Sequence, residues 1–479
     1  MLYKDYHFYL IMITEKREKE GERSLGRTKQ HFHLEPDRGL LNDPNGLVYF
    51  KGKYHVFFQW NRFAKNHCYK EWGLFTSKDL LKWTFQGSAL LPDMSFDRDG
   101  VYSGSGYVIK DKLCLFYTGN TKPDGKRKVY QCMAISAEGE KFQKLGCVMD
   151  VPEEYTEHFR DPKVFRGTNG EYFMVIGAQR KNGKGAIALC HSGDGYRWKW
   201  AGTLAETEIY EMIECPDLFE LNGVHVLLYN PQERDNRKDV CGDSFSAYKI
   251  TAFDEEERRV TDRNLDQYQR LDYGFDFYAP QTFCDGLGRR LLFGWMSRMD
   301  EEEECVFSAE EENIHCLTLP RELYVQNGKL YQAVPKELDS LKAEEILAEW
   351  MSENEKKAAF PMRTAFIRLE RSKDDPNLSI EFEGDGTKFI YDCKTGSVTL
   401  RRIRWTDSQE EEKRLQISIL RTVEIWMDQS SLEFFLNDGE YVMSARIFPR
   451  EAYQEVIFGG VTKRTKVECR EIRRGGIVR

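Results

Sequence analysis

Short apolar segments separated by polar or glycine turns recur along much of the chain. Five copies share one form: an apolar run, a turn, and a second run rich in aromatic and β-branched residues, which together predict a β-hairpin. Successive turns lie 59, 59, 53 and 65 residues apart, at Gly52, Asp111, Gly170, Gly223 and Gly288. This even period predicts one supersecondary unit that is repeated five times.

A weaker echo follows three of the copies and predicts an outer strand pair in each repeat. The echo segments are Thr76–Asp79 with Trp83, Ser136–Gly139 with Phe142, and Ser192–Gly195 with Trp198. With about four short strands in each unit, five units close a five-bladed β-propeller, so we predict an all-β protein. An irregular β-sandwich is the alternative, although a sandwich does not require such even spacing.

Carboxylates occupy a repeated position in the units. Nine positions before the five turn residues stand Asp43, Tyr102, Asp161, Glu214 and Ala279. Because equivalent positions of successive blades surround one axis, we expect these three acidic side chains to converge at the mouth of the central channel. Alignment on the prolines that follow selects Cys215 in the fourth copy, so register alone leaves Glu214 and Cys215 open.

Converging carboxylates are typical of enzymes that break glycosidic bonds. One side chain donates a proton to the leaving oxygen, and a second captures or shields the oxocarbenium-like carbon. A metal site is the competing interpretation, but no His pair at helical spacing and no close Cys pair accompanies these acids in the sequence. We therefore expect neither a metal nor another cofactor.

Three segments around these acids resemble, in the same order, the motifs of glycoside hydrolase family 32, the invertase and sucrose-6-phosphate hydrolase family. The segments are Gly39–Gly46, Phe159–Pro162 and Glu214–Asp217. The resemblance implies that Asp43 is the nucleophile and that Asp161 stabilises the transition state. It also implies that Glu214, rather than Cys215, is the acid/base. The implied activity is that of a retaining β-fructofuranosidase acting on sucrose 6-phosphate or sucrose.

The same resemblance implies a set of side chains that contact the fructosyl unit. They are Leu40, Asn42, Gln59, Trp72, Tyr102, Ser103, Arg160 and Trp295. Leu40 stands where members of the family often carry Trp, so the sugar pocket of this chain lacks one aromatic side chain in its wall. Core packing is the alternative for Trp72 and Trp295.

A basic loop between two of these pocket residues is a candidate phosphate site. Arg62 and Lys70 mark its ends, and the loop also contains Lys65 and His67. Charged hydrogen bonds from Arg62 and Lys70 could hold a phosphate ester. Solvated surface charges are the alternative.

The predicted domains follow from length and pattern, because 479 residues exceed the size at which one core keeps growing. We interpret residues 1–30 as a poorly ordered leader, with Met12 as an alternative start, and residues 31–335 as the propeller. Residues 336–358 are expected to be a linker that could be helical. Residues 359–479 are expected to form a β-sandwich, since Glu424–Gly439 alternates apolar and polar residues and resembles the family's C-terminal domain.

Composition narrows the possible partners and the compartment. A net charge of −9 argues against a nucleic-acid partner, and no apolar run approaches the ~20 residues of a membrane span. The twelve cysteines are scattered without a C-x-x-C pair, which favours reduced thiols in the cytoplasm. The expected partner is a small sugar or sugar phosphate, and the sequence leaves the oligomeric state open.

Other functions remain possible at this point. A non-catalytic sugar-binding propeller would use the same blades and aromatic residues. A fructan-cleaving enzyme or an arabinanase-like glycosidase would use carboxylates on similar blades.

Overall fold

Strands make up most of the protein. The structure, a computed structural model, describes residues 29–232, 245–297, 312–360, 363–384, 386–405, 407–448 and 455–478. Five sheets arranged around one axis precede two larger sheets that face each other, so the predicted five-bladed propeller and C-terminal β-sandwich are confirmed. Residues 1–28 of the expected leader, including Met12, lie outside the described residues.

Each blade is an antiparallel sheet whose strands follow one another closely in the chain. Blade 1 contains Gly39–Phe50, Lys53–Asn61, Glu71–Ser77 and Lys82–Leu90 (β1–β4). Blade 2 contains Val101–Ile109, Lys112–Thr121, Lys128–Ser136 and Gln143–Met149 (β5–β8). Blade 3 contains Tyr155–Arg166, Tyr172–Arg180, Gly185–Ser192 and Lys199–Glu206 (β9–β12).

The last two blades have shorter outer strands. Blade 4 contains Met212–Leu221, Val224–Gln232 and Ala247–Thr251 (β13–β15), then, after the hairpin Phe253–Asp254 and Arg259–Val260 (β16, β17), Gln269–Arg270 (β18). Blade 5 contains Tyr278–Cys284 and Arg290–Trp295 (β19, β20) and, after Asn313–Ile314 (β21), Arg321–Gln326 and Lys329–Ala333 (β22, β23).

The first strand of every blade lies at the hub. Strand β1 contacts β5 and β19, β9 contacts β5 and β13, and β13 contacts β19, which completes a ring of inner strands. Because neighbouring strands are antiparallel, the start of each first strand and the end of each second strand lie at the same end of the axis, as Leu40 opposite Asn61 shows. The loops that join second to third strands therefore surround the mouth of the hub.

Two distant segments complete blade 1. Strand β21 pairs in parallel with the start of β1, and Gly476–Val478 (β37) pairs in parallel with Lys82–Thr84 at its outer edge. Backbone hydrogen bonds from later parts of the chain thus cover both edges of this blade, which an open sheet would leave unpaired.

The sandwich consists of a six-stranded and a seven-stranded sheet with an apolar core between them. The first sheet, in spatial order, contains Lys342–Ile346, Lys466–Ile472, Ala365–Glu370, Thr422–Asp428, Ser431–Leu436 and Tyr441–Arg446 (β24, β36, β27, β32, β33, β34). The second contains Glu349–Ser352, Glu355–Ala359, Glu455–Gly459, Leu378–Phe382, Lys388–Asp392, Ser397–Ile403 and Glu410–Gln416 (β25, β26, β35, β28, β29, β30, β31).

Residues 336–358 were expected to be a linker in which Leu338–Lys357 could form a helix, and the structure instead places most of them in strands of the sandwich. A short 3-10 helix covers Lys336–Leu341. After it, β24 and β25 are edge strands of the two sandwich sheets, and β26 pairs between β25 and β35. Strand β25 is exposed at all four positions, so it shows no apolar alternation in the sequence. Pairing of β24 and β26 with β36 and β35, more than 90 residues later, decides their conformation.

Buried charges join the two domains. Arg321 of blade 5 donates to the Glu433 carboxylate of the sandwich, and His33 lies between Asp428 and Glu433 with both ring nitrogens 2.9 Å from a carboxylate oxygen. Asp272 also accepts a hydrogen bond from Arg321. We call these five side chains the interdomain cluster.

Two further observations concern the start of the chain and the membrane. Gln30, placed in the expected leader, is buried and donates to the Ser431 hydroxyl of the sandwich. Among the described residues, no helix has the length and apolar character needed to cross a membrane.

Candidate functional site

A β-bulge interrupts the first strand of each blade near the mouth of the hub. In blades 3 to 5, the last regularly paired residues before the bulge are Arg160, Glu214 and Tyr278. The residues that follow them have left-handed backbones, with φ of 66° at Asp161, 44° at Cys215 and 48° at Ala279. Bulges redirect side chains and are enriched beside active sites, and such backbone strain clusters there too.

The bulges correct the register that was expected from the sequence. Glu214 is structurally equivalent to Arg160 and Tyr278, whereas Cys215 is equivalent to Asp161, as alignment on the prolines suggested. Counting nine residues failed because the hairpin loop spans residues 222–223 in blade 4 but 167–171 in blade 3. The expectation that Asp161 and Glu214 occupy equivalent blade positions is therefore wrong, although both side chains reach the hub.

The Asp43 carboxylate is held by donors from two blades. Ser103 Oγ donates to Oδ2 over 2.5 Å, and the Asn42 amide donates to Oδ1 over 3.1 Å. Lys70 Nζ donates to Asn42 Oδ1 over 2.5 Å, which fixes the amide orientation that Asp43 needs. Cys215 Sγ lies 3.9 Å from Asp43 Oδ2. The carboxylate is partly exposed, so a substrate can reach it.

Asp161 is the most deeply buried of the three acids. Its Oδ2 accepts a 3.0 Å hydrogen bond from the Cys215 backbone N–H, and Arg160 Nε lies 4.0 Å away. Burial raises the pKa of Asp161 to about 7, against the attraction of Arg160 and together with repulsion from Glu214 and Asp43. The hub thus concentrates negative charge beyond what one arginine neutralises.

Glu214 has donors on both carboxylate oxygens. Arg160 Nη2 donates to Oε1 over 2.6 Å, and the Tyr278 hydroxyl donates to Oε2 over 2.7 Å. Burial and the charge of Glu214 raise the pKa of Tyr278 well above its ordinary value, so the phenol stays a neutral donor. The Asn230 amide supports the strand by donating to the Glu214 carbonyl over 3.1 Å.

The structure brings all three acids to one place, because Cys215 joins them. Its thiol approaches Asp43, its backbone N–H binds Asp161, and Glu214 precedes it in the chain. This arrangement can present one carboxyl group as a proton donor or acceptor and another as a nucleophile to a single bound sugar.

The remaining pocket candidates are buried around this centre. Gln59 donates to the carbonyl of Val101, and the Trp72 indole donates to the carbonyl of Tyr102. Gln59 Oε1 and Trp295 Nε1 are buried without a hydrogen-bond partner among the described residues. Trp72 also packs in the apolar core between blades 1 and 2, so core packing accounts for much of its environment. Leu40 is fully buried on β1.

The two phosphate candidates have different surroundings. Arg62 turns toward blade 1, where Nη1 donates to Ser88 over 3.0 Å and Nε lies 3.5 Å from the Glu71 carboxylate. Lys70 lies at the site itself, against Asn42 and His67. The nearby carboxylate already balances the charge of Arg62.

Sequence reasoning assigned no role to Tyr278, which contacts Glu214 directly. A signal for it was present, since aligning the blades on Pro162, Pro216 and Pro280 places Tyr278 beside Glu214 and Arg160. Asn230 had no comparable signal, because its role depends on a contact between strands, whereas the proline alignment marked the position of Cys215 but not its contacts with Asp43 and Asp161.

Comparisons with known proteins agree with this geometry. The model of the glycosyl hydrolases family 32 N-terminal domain matches residues 33–334, and that of the family 32 C-terminal domain matches residues 363–472. The chain belongs to glycosyl hydrolase family 32. It is therefore a glycoside hydrolase, which removes the non-catalytic and arabinanase-like alternatives.

Family 32 relatives cover almost the whole chain. The sucrose-6-phosphate hydrolase of Bacillus subtilis (strain 168) is 39% identical over 92% of this chain and 93% of its own, and that of Klebsiella pneumoniae is 39% identical over 90% and 91%. A solved sucrose-6-phosphate hydrolase from Lactobacillus gasseri superimposes with a TM-score of 0.81 at 27% identity, covering 94% of this chain and 95% of that one. A Bombyx mori β-fructofuranosidase in complex with sucrose gives a TM-score of 0.81 at 29% identity and 98% coverage of both chains.

Proposed function

We propose that the protein is a retaining β-fructofuranosidase that hydrolyses sucrose 6-phosphate, and sucrose less efficiently, into fructose and glucose 6-phosphate or glucose. The observation that carries the proposal is the pairing of two differently held carboxyl groups. Asp43 is fixed by two hydrogen-bond donors and is partly exposed, and Glu214 lies one residue from the thiol that approaches it. A retaining mechanism needs one carboxyl group that acts as the nucleophile and another that acts as the acid/base at the same glycosidic bond.

In the first step, an Asp43 oxygen attacks the anomeric carbon of the fructosyl unit. The bond from that carbon to the glycosidic oxygen breaks, and the proton of Glu214 moves to the departing oxygen. In the second step, the Glu214 carboxylate takes a proton from water while the water oxygen attacks the same carbon. Asp43 then leaves as a carboxylate, and two inversions give retained configuration.

The neighbouring residues support these steps by position and charge. Asp161, with Arg160 beside it, would bind fructosyl hydroxyls and offset positive charge at the anomeric carbon. Tyr278 and Arg160 would hold the Glu214 carboxylate during the second step, because both donate to it. Gln59 and Trp295 each have a buried polar atom that a sugar hydroxyl could pair with.

The proposed phosphorylated substrate also implies that the enzyme is located in the cytoplasm. The curated relatives named above are sucrose-6-phosphate hydrolases, and they align over 92% and 90% of this chain. A phosphate monoester carries nearly two negative charges at neutral pH and does not cross a bilayer unaided, so an enzyme for it belongs inside the cell.

The test is a substrate panel on the purified full-length chain. We expect the highest kcat/KM with sucrose 6-phosphate, a lower value with sucrose, and little activity on longer fructans. Release of fructose from none of these substrates, or the highest kcat/KM on a fructan, would contradict the proposal.

A further inference from the structure

We propose that Arg127, supported by His158, binds the phosphate group of the leaving sugar and thereby determines the preference for a phosphorylated substrate. This inference rests on the proposed function, and it places the phosphate in a different loop from the one that contains Arg62 and Lys70. The loop that contains Arg127 joins β6 to β7, so it occupies in blade 2 the place that residues 62–70 occupy in blade 1. Both loops therefore lie at the mouth of the hub.

The loop of blade 2 is strongly basic. Residues 122–128 contain three lysines and one arginine against a single aspartate. Lys122, Lys126 and Lys128 are exposed, whereas Arg127 is half-buried and turns toward the site. Exposed cations around an inward-facing arginine attract an anion and raise its local concentration at the mouth.

Arg127 lies close to the acid/base through a short series of contacts. Its Nη1 is 3.4 Å from His158 Nδ1, and that nitrogen is also 3.4 Å from Arg160 Nη1. Arg160 in turn contacts Glu214. These three contacts link Arg127 to Glu214, and because Glu214 must face the glycosidic oxygen, the leaving sugar lies on this side of the site.

The charge of Arg127 is not balanced within the described part of the chain. Its contacts there are His158 and the ring of Tyr102, whose centroid is 5.9 Å from the guanidinium carbon, and no carboxylate lies within ion-pair distance. Two guanidinium groups therefore converge on one imidazole nitrogen. A phosphate dianion would relieve their repulsion, and the planar guanidinium fork matches its oxygens.

The contrast with Arg62 supports this choice. Arg62 is 3.5 Å from the Glu71 carboxylate, bonded to Ser88 and stacked on Phe63. An arginine that is already neutralised gains less from an added anion than one without a carboxylate partner. Arg62 therefore offers a phosphate group less than Arg127 does.

The first experiment compares kcat/KM for sucrose 6-phosphate and sucrose in the wild type, Arg127→Met and Lys126→Met. We expect Arg127→Met to lower kcat/KM for the phosphate ester by on the order of 10²-fold, mainly through KM, and to change that for sucrose by about twofold or less. Lys126→Met should change both values by about threefold or less. Arg127→Lys should restore part of the preference.

The second experiment is independent of catalysis. Calorimetric titration with glucose 6-phosphate and with glucose should show that Arg127→Met weakens binding of the phosphorylated sugar at least about tenfold and leaves glucose binding unchanged. Unchanged glucose 6-phosphate binding in Arg127→Met overturns the inference, whatever the activity. Equal losses of kcat/KM on both substrates also overturn it, since Arg127 would then act only by positioning His158 and Arg160. Failure of the proposed function would appear separately, as a wild type that releases no fructose.

Discussion

The hub of the propeller and the interdomain cluster each bring three carboxylates together, but the cluster holds its acids with two basic side chains, Arg321 and His33, whereas among the described residues Arg160 alone forms an ion pair with the acids of the hub. In the cluster, Glu433 contacts both Arg321 and His33, and Asp428 accepts from the His33 ring and from four backbone N–H groups. At the hub, Arg160 is the cation in contact with the acids, bonded to Glu214 and 4.0 Å from Asp161.

The pKa shifts of Asp428 and Glu433 in the cluster are opposite in direction to that of Asp161 at the hub, although burial also raises the pKa of Asp272 in the cluster. Burial would raise the pKa of Asp428 and Glu433, but the charges and hydrogen bonds of His33 and Arg321 lower it below the ordinary value. At the hub, burial and neighbouring negative charge raise the pKa of Asp161 to about 7. The comparison shows that burial alone does not predict a function. The hub leaves charge that a substrate can use, whereas Arg321 and His33 hold the carboxylates of the cluster in hydrogen bonds that join the two domains.

Replacing one glutamate in each region should separate chemistry from stability. Glu214→Gln removes the transferable proton, so we expect kcat to fall by roughly 10²–10⁴-fold with little change in Tm. Glu433→Gln should lower Tm while kcat at low temperature stays within about twofold. Steady-state kinetics and thermal unfolding of both variants check this pair. A large loss of kcat in folded Glu433→Gln would break the comparison.

The next largest effect is expected from Arg321→Met in the cluster. This change leaves the buried carboxylates of Glu433 and Asp272 without their shared partner, and breaking a buried ion pair costs about 3–5 kcal/mol. Urea unfolding should show that loss. The control is Arg404→Met, which removes an exposed pair with Asp407 and should cost about 1 kcal/mol or less. Equal destabilisation by the two variants would show that the cluster contributes little.

A stabilising change is expected at the hub. The pKa of Asp161 is higher in the folded protein than its ordinary 3.8, so its contribution to stability is present below pH 3.8 and is lost as pH rises through about 7. Asp161→Asn cannot ionise and should raise the free energy of unfolding at pH 8 by up to about 4 kcal/mol while lowering activity. The gain should shrink toward pH 4. A destabilised variant at pH 8 would contradict the charge imbalance.

The smallest expected effect concerns His33. Burial opposes its charge, but Asp428 and Glu433 raise its pKa from 6.5 to about 9. Its contribution is therefore present below pH 6.5 and is lost as pH rises through about 9. His33→Gln should cost up to about 3 kcal/mol at pH 6.5 and less at pH 10, as measured by urea unfolding. The half-buried His191, beside Glu171, is the control, and His191→Gln should cost less at pH 6.5.

Much of the fold was predictable because the propeller is periodic. The apolar runs and turn residues of each repeat predict its strands and turns independently of the other repeats. The prolines after the bulges mark the hub position in four blades. The conformation of residues 342–359 was not predictable, because edge strands such as β25 have no buried face and depend on distant partners.

The role of a site residue was predictable where its residue type limits the possible chemistry. It was less predictable where a contact between side chains determines the role. Asp43, Asp161 and Glu214 stood out as acids at a repeated level of the blades, although one residue of register was wrong. Alignment of the blades on their prolines could have marked Tyr278, whereas Arg127 becomes visible only when the strands and loops of different blades meet. Arg62 was a reasonable phosphate candidate by charge alone, and its contact with Glu71 is a side-chain detail that no pattern contains.

The central claim, that Asp43 is the nucleophile and Glu214 the acid/base, is tested most directly by trapping the intermediate. Fluoride leaves β-fructofuranosyl fluoride without help from an acid, so the Glu214→Gln variant can still form the fructosyl-enzyme. The variant has no base to activate water, so this covalent adduct should accumulate. Mass spectrometry of the digested protein should show one fructosyl unit on the peptide that contains Asp43. A burst of fluoride with that peptide unmodified, or the adduct on Asp161, would contradict the account.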